Sequence, residues 1–311
     1  MTLHGLRSIT IGVPDVPSAV AYYVDFGLTH STSGNRTTAR LSTTDGGEQL
    51  ELVHAPRRHL ASLTVGVDDA DDLDRATASL TRLGVGVHRS ETALVTADPV
   101  TGVQVRLKVA PRLAAASAPA PGYNAPADVV RDTSRAPGVL RETRVRPRKL
   151  GHVVFGSTDQ PTTERFFTEG LGFKVSDRIP PFAAFLRCST DHHNVLVQQA
   201  PFPLLHHTSW QVDDVDEVGR GASAMLAKDP ARHVWGLGRH HIGSNFFWYL
   251  KDPAGNFSEY YADMDCIVDD QLWTPQDWTD SRALYSWGPP PPPSFLEPED
   301  LAELMIGSHS G

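Results

Sequence analysis

Eight of the chain's 14 histidines fall between His152 and His241. Only two cysteines, Cys188 and Cys266, are present, so neither a disulfide framework nor a thiolate metal site can be built within one chain. Any metal must be held by imidazole and carboxylate. Three such groups stand out, because the first half of the chain carries a different residue at each matching position. His152 follows Leu150-Gly151, whereas Ser8 follows Leu6-Arg7. His207 stands five residues before Val212-Asp213-Asp214, and Ser62 stands five before Val67-Asp68-Asp69. Glu259 lies four residues past the turn glycine Gly255, and Arg106 lies four past Gly102. A shared structural need would not place His, His, Glu in one copy and Ser, Ser, Arg in the other. Two neutral imidazoles and a carboxylate on three strands make the facial triad of non-heme iron(II), which leaves coordination positions open for outside ligands.

The register comes from an internal repeat. Residues 4–27 and 148–171 share a β-branched run, an Asp-x-Pro (Asp15-Val16-Pro17, Asp159-Gln160-Pro161) and an aromatic pair, Tyr22-Tyr23 or Phe166-Phe167. Asp just before a Pro in the first turn is a helix-start signal. A second repeat, Leu60–Asp69 and Leu205–Asp214, precedes amphipathic helices predicted over Leu73–Leu83 and Val218–Leu226. Both copies then reach a turn, Asp98-Pro99-Val100-Thr101-Gly102 or Asp252-Pro253-Ala254-Gly255. The chain therefore reads as an α+β protein of four βαβββ modules in two pairs, 1–110 and 148–265. An Ala-, Pro- and Arg-rich linker joins them over 111–147, and a tail follows over 266–311 with helical signals only at Glu299–Met305. The tail's Trp273, Trp278, Tyr285 and Trp287 are too many large aromatics for a solvated arm, so it is expected to cover the mouth of a pocket.

Strand alternation separates the doublet His206-His207: His207, Ser209 and Gln211 form the more polar face, and His207 is the expected ligand. The segment Gly238-Arg239-His240-His241, with Tyr249 nine residues after His240 and Glu259 ten beyond that, resembles the signature of the type I extradiol ring-cleaving catechol dioxygenases of the vicinal oxygen chelate superfamily. The resemblance is specific over 150–262. It implies the vicinal oxygen chelate fold, iron(II) or in some members manganese(II) on His152, His207 and Glu259, and His193 as acid/base. It also implies that His240 and Tyr249 hydrogen-bond the substrate oxygens, while His241 is left outside this set. The implied reaction is extradiol cleavage of a catechol by O2, giving a ring-opened semialdehyde-type product in aromatic catabolism. A homo-oligomer is common in that family and is expected here.

Composition agrees with a small-molecule enzyme. The formal net charge is −9, and no Lys/Arg-rich run offers a footprint for nucleic acid or anionic lipid. No run of apolar residues is long enough to span a bilayer and the N-terminus lacks a signal-peptide layout, so a cytoplasmic protein is expected. Two other readings stand beside the dioxygenase: a glyoxalase-like metal-dependent isomerase, and a non-catalytic binding protein of the same superfamily. Substrate-facing positions are expected at Phe182, Phe185, Trp210 and Phe247, an apolar lining that would suit a hydrophobic substituent or a second ring, with no cation aimed at a substrate carboxylate.

Overall fold

The computed structural model describes residues 2–31, 37–118, 122–279 and 283–297, together with Asp300 and Leu304. Most of the helical run expected at Glu299–Met305 lies outside the described residues.

The first half comprises β1 (Leu3–Val13), α1 (Val16–Asp25), β2 (Thr29–His30), β3 (Thr38–Thr43), β4 (Gly47–His54), β5 (His59–Val67), α2 (Ala70–Arg82), β6 (Val87–Arg89), β7 (Ala93–Ala97) and β8 (Gln104–Val109). The second half repeats this order in β9 (Lys149–Ser157), α3 (Gln160–Arg165), β10 (Lys174–Ile179), β11 (Ala183–Arg187), β12 (Val195–Gln199), β13 (Leu204–Gln211), α4 (Val215–Lys228), β14 (His233–Arg239), β15 (Phe246–Lys251) and β16 (Phe257–Ala262). A two-residue strand of the tail, β17 (Gln276–Asp277), adds an edge to the second half. Each half is one mixed sheet, ordered β2-β3-β4-β1-β5-β8-β7-β6 and β14-β15-β16-β13-β9-β12-β11-β10-β17.

The helix starts follow from side-chain chemistry. Asp15, Asp69, Asp159 and Asp214 each cap a helix by accepting a backbone N–H three residues on. The caps at Asp69 and Asp214 start α2 and α4 three residues earlier than the apolar pattern alone predicts. At the end of α3 the chain continues through a π-turn, Phe166–Gly170, that buries both Phe166 and Phe167.

In each sheet the two modules meet along an antiparallel pair flanked by parallel partners. Ser62 sits opposite Thr10 and Gln104, while His207 sits opposite Val154 and Phe257. Thr64 pairs with both Ser8 and Arg106, and Ser209 pairs with both His152 and Glu259. The residues matched by the repeat thus occupy matching places in the two sheets.

One apolar core runs through both halves. Helix α1 is its keystone: Phe26 stacks on Tyr260 at 3.8 Å with the rings 1° from parallel, and the Tyr260 hydroxyl donates to the Phe26 carbonyl oxygen. Tyr22 shares a 2.6 Å hydrogen bond with Ser258. The buried Gln49 bridges the first strands of the two sheets, donating to the Leu6 carbonyl oxygen and accepting the Leu150 N–H at 2.7 Å. These contacts reach β9 and β16, the strands that carry His152 and Glu259. Phe26→Ala should therefore remove about 3–5 kcal/mol of stability in urea unfolding. A loss below about 1 kcal/mol would show that the stack carries little of the join.

Candidate metal centre

His152 on β9, His207 on β13 and Glu259 on β16 come from three adjacent strands, and their ligand atoms all lie within 4.8 Å of one another. The separations are 3.1 Å from His152 Nε2 to Glu259 Oε2, 3.8 Å from His207 Nε2 to the same oxygen, and 3.4 Å between the two Nε2 atoms. Donors about 2.0–2.2 Å from one ion and mutually near right angles lie about 3 Å apart, close to what is observed. All three side chains are buried, Glu259 completely. Asn245 donates to Glu259 Oε1 at 3.1 Å, while Oε2 is buried with no hydrogen-bond partner among the described residues. A buried carboxylate oxygen left unpaired and facing two imidazole nitrogens fits a divalent cation.

The neighbouring histidines are oriented from behind. His206 Nε2–H donates to the Phe295 carbonyl oxygen at 2.7 Å, which leaves its Nδ1 bare. That atom lies 2.7 Å from His207 Nδ1, so His207 carries its proton on Nδ1 and turns the Nε2 lone pair to the metal position. His240 Nδ1–H donates to the Leu284 carbonyl oxygen at 2.6 Å, and its Nε2 lies 2.9 Å from the Tyr249 hydroxyl. His193 packs against His152 with ring centroids 4.3 Å apart, and its Nδ1 lies 3.1 Å from His192 Nδ1. Next to His152 a side chain at Gly151 would collide with Tyr261, its Cβ falling 2.1 Å from the hydroxyl; glycine lets that ring close over β9.

These groups border a cavity of about 130 Å³. His152, His193, His207, His240 and Tyr249 form its polar side, and Val154, Phe185, Leu196, Ile242, Ala283, Leu284, Phe295 and Leu296 its apolar side. The last four belong to the tail, through residues the sequence reading had not singled out. Of the aromatics expected to line it, Phe185 does. Trp210 is instead fully buried against Tyr23, Phe247 stacks behind His240 at 4.1 Å, and Phe182 is 61% exposed. His241 is turned away, onto Trp278 and Ser286.

Strict alternation also failed at the His206-His207 doublet. A register shift between Leu205 and His207 inserts His206 as an extra residue, and both rings reach the cavity. The sequence reading set His206 aside and gave no task to His192 or Asp177, although the histidine doublets 192–193 and 206–207 were a signal that paired imidazoles had a use.

Burial holds His193 and His207 well below the usual histidine range, lowers His240, and pushes His206 down to about 4. Neutral imidazoles are what a metal requires. Burial likewise raises the Tyr249 hydroxyl, with the Glu259 charge adding to it, so the phenol keeps its proton.

Residues 149–260 match the family described as the Glyoxalase/Bleomycin resistance protein/Dioxygenase superfamily. The chain is 32% identical over 309 residues to metapyrocatechase 2 of Cupriavidus necator, covering 94% of this chain and 92% of that protein. It is 29% identical over 154 residues to an iron-dependent extradiol dioxygenase of Rhodococcus jostii, 45% of this chain and 50% of the relative. Among solved structures, the Mn(II)-bound glyoxalase from Novosphingobium aromaticivorans superposes with a TM-score of 0.74 at 25% identity, covering 94% of this chain and 93% of its own.

A histidine whose folded-state pKa is depressed costs stability once the unfolded chain begins to bind its proton. Stability of the metal-free protein should therefore fall as pH drops below about 6.5 and keep falling to about 4, the window set by His206. By about pH 5 His206 alone should remove roughly 2 kcal/mol, measured by urea unfolding across pH. A flat profile would show that the His206 pocket is wet. The long match to a curated relative and the triad in matching register make one assignment: the chain belongs to the type I extradiol ring-cleaving dioxygenases of the vicinal oxygen chelate superfamily.

Proposed function

We propose that the protein cleaves uncharged, single-ring catechols by extradiol dioxygenation, with His152, His207 and Glu259 holding iron(II), or manganese(II) in its place. The observation that carries this reading is the buried triad opening onto a cavity with one polar and one apolar side. Iron(II) bound there supplies the redox-active centre at which a catechol and O2 react.

The chain's own residues do the remainder. His193 presents a ring nitrogen to the cavity beside His152 and serves as the base for one catechol hydroxyl and later as the acid that returns a proton. Tyr249, donating to His240 Nε2, keeps oxygen lone pairs available to a substrate hydroxyl, and the pair positions the diol edge. Phe185, Ile242 and Leu196 hold the ring and exclude water, which strengthens each of these hydrogen bonds. The absent partner of Glu259 Oε2 and the three-donor set favour oxygen chemistry over a glyoxalase-like site with four protein ligands or a binding protein that needs no triad.

Two features of the cavity support the substrate class. An apolar cavity of about 150 Å³ takes one benzene ring, and the space here is about 130 Å³. No Lys or Arg lines it among the described residues, so a substituent carboxylate would be buried unpaired. In this reading 1–110 is a scaffold, 111–147 a linker and 148–265 the catalytic unit, while 266–311 closes the pocket through Leu284, Phe295 and Leu296. A cytoplasmic homo-oligomer with no nucleic-acid or membrane partner completes the proposal, supported by the net charge of −9. No helix among the described residues is long and apolar enough to cross a membrane.

The test is anaerobic loading with iron(II), then oxygen uptake and visible absorbance of the yellow ring-opened product over a catechol panel. Alkylcatechols should exceed carboxylated catechols in kcat/KM by about 100-fold or more, the cost of an unpaired buried charge. Glu259→Gln should lose stoichiometric iron by metal analysis and all oxygen uptake. Metal-replete, folded protein that takes up no oxygen with any catechol would sink the reading.

A further inference from the structure

His192 does not line the cavity, yet it is completely buried, and both its ring nitrogens are engaged. Its Nε2 lies 3.1 Å from Asp177 Oδ2, and its Nδ1 lies 3.1 Å from His193 Nδ1. Phe185 and Trp273 pack edge-on against the ring at 6.0 and 5.2 Å and fix its plane. Asp177 is 4% exposed, and its other oxygen accepts the backbone N–H of Gln276 at 2.7 Å, where β17 of the tail pairs with β10.

With a single proton on the His192 ring, the donor and acceptor roles along this row follow from its far end. A backbone N–H can only donate, so Asp177 Oδ1 is an acceptor. The remaining carboxylate oxygen takes the His192 Nε2–H, and a ring carrying that one proton has a lone pair on Nδ1. That lone pair requires the proton of His193 to sit on Nδ1. The Nε2 of His193 then has no proton and can face a substrate hydroxyl as a base. The arrangement has the same logic as the row from the Phe295 carbonyl through His206 to His207, built from a different acceptor.

We infer that Asp177 and His192 are positioning residues that set the tautomer of His193, with the tail strand at Gln276 anchoring the row. The inference rests on the reading of His193 as the acid/base group, and it assigns the first residue of the 192–193 doublet a task of its own. When His193 takes a proton on Nε2, its Nδ1–H remains hydrogen-bonded toward His192, and the carboxylate of Asp177 lies one ring further from the metal position.

Asp177→Asn is the decisive variant. Because the Gln276 N–H still demands an oxygen, the new amide nitrogen must face His192 Nε2 and reverse every donor behind it. His193 then carries its proton on Nε2 and cannot act as the base. Expected is a fall in kcat of about 10- to 100-fold with KM for the catechol within about three-fold. Nitrogen-15 NMR of the metal-free protein should show the proton on Nδ1 of His193 in the wild type and on Nε2 in D177N. His192→Gln supplies the second arm: its amide can donate to Asp177 and accept from His193, so it should keep the Nδ1–H tautomer and most of kcat, whereas His192→Phe should lose both. Wild-type His193 protonated on Nε2, or D177N with unchanged tautomer and kcat, overturns the inference. If D177N does not fold, loss of the tautomer and of kcat in H192Q overturns it equally. Wild type with the expected tautomer but no catechol cleavage refutes the proposed function and leaves the tautomer assignment standing.

Discussion

A buried neutral imidazole can present a lone pair in one direction only if something behind it takes its proton, and the active half of this protein is organised around that constraint. Of the imidazoles that face one small cavity, three are backed by an acceptor: Phe295 carbonyl through His206 for His207, Leu284 carbonyl for His240, and Asp177 through His192 for His193. Burial raises the stakes, since an unpaired polar atom there is costly while a satisfied one is firmly oriented. Among the described residues Glu259 Oε2 and His152 Nδ1 are both left unpaired, and Glu259 Oε2 sits where a cation would satisfy it.

This constraint gives a tail of low regularity its task. The tail supplies the Leu284 and Phe295 carbonyls to two histidines and the Gln276 N–H to Asp177, in addition to apolar side chains for the cavity. Backbone groups suit the task because their donor or acceptor character cannot change with pH. The tail is also tied to the first half, where Arg58 pairs with Asp300 at 2.7 Å while its Nη1 donates to the Leu205 carbonyl oxygen beside the His206 bulge.

The two halves show how one scaffold carries different contents. At the positions of the triad the first half places Ser8, Ser62 and Arg106 in an open, polar concavity with Arg7, Arg40 and Lys108. The strands keep the same register, so the difference lies in side chains alone. The first half contributes instead through packing: the Phe26–Tyr260 stack and the Gln49 bridge tie it to β16 and β9, the strands that carry Glu259 and His152.

The sequence by itself determined the repeat, the α+β module order, the helix caps at Asp15 and Asp159 and the grouping of His152, His207 and Glu259, because each leaves a local or periodic trace. Asp before a helix caps it wherever the helix packs, and a repeat offset transfers a register without knowledge of the fold. Only tertiary structure decided the rest. Asp177 is brought to His192 by the folding of β10 against β11 and β17, contacts that leave no trace in spacing. The bulge at His206 turned a residue expected on the opposite face into the support of His207, since an extra residue breaks the two-residue period on which the expectation rested. Trp210 and Phe247 were consigned to packing, and Leu284 and Leu296 to the cavity, by which face of each neighbour was already covered, a property of the assembled layers and of no single segment.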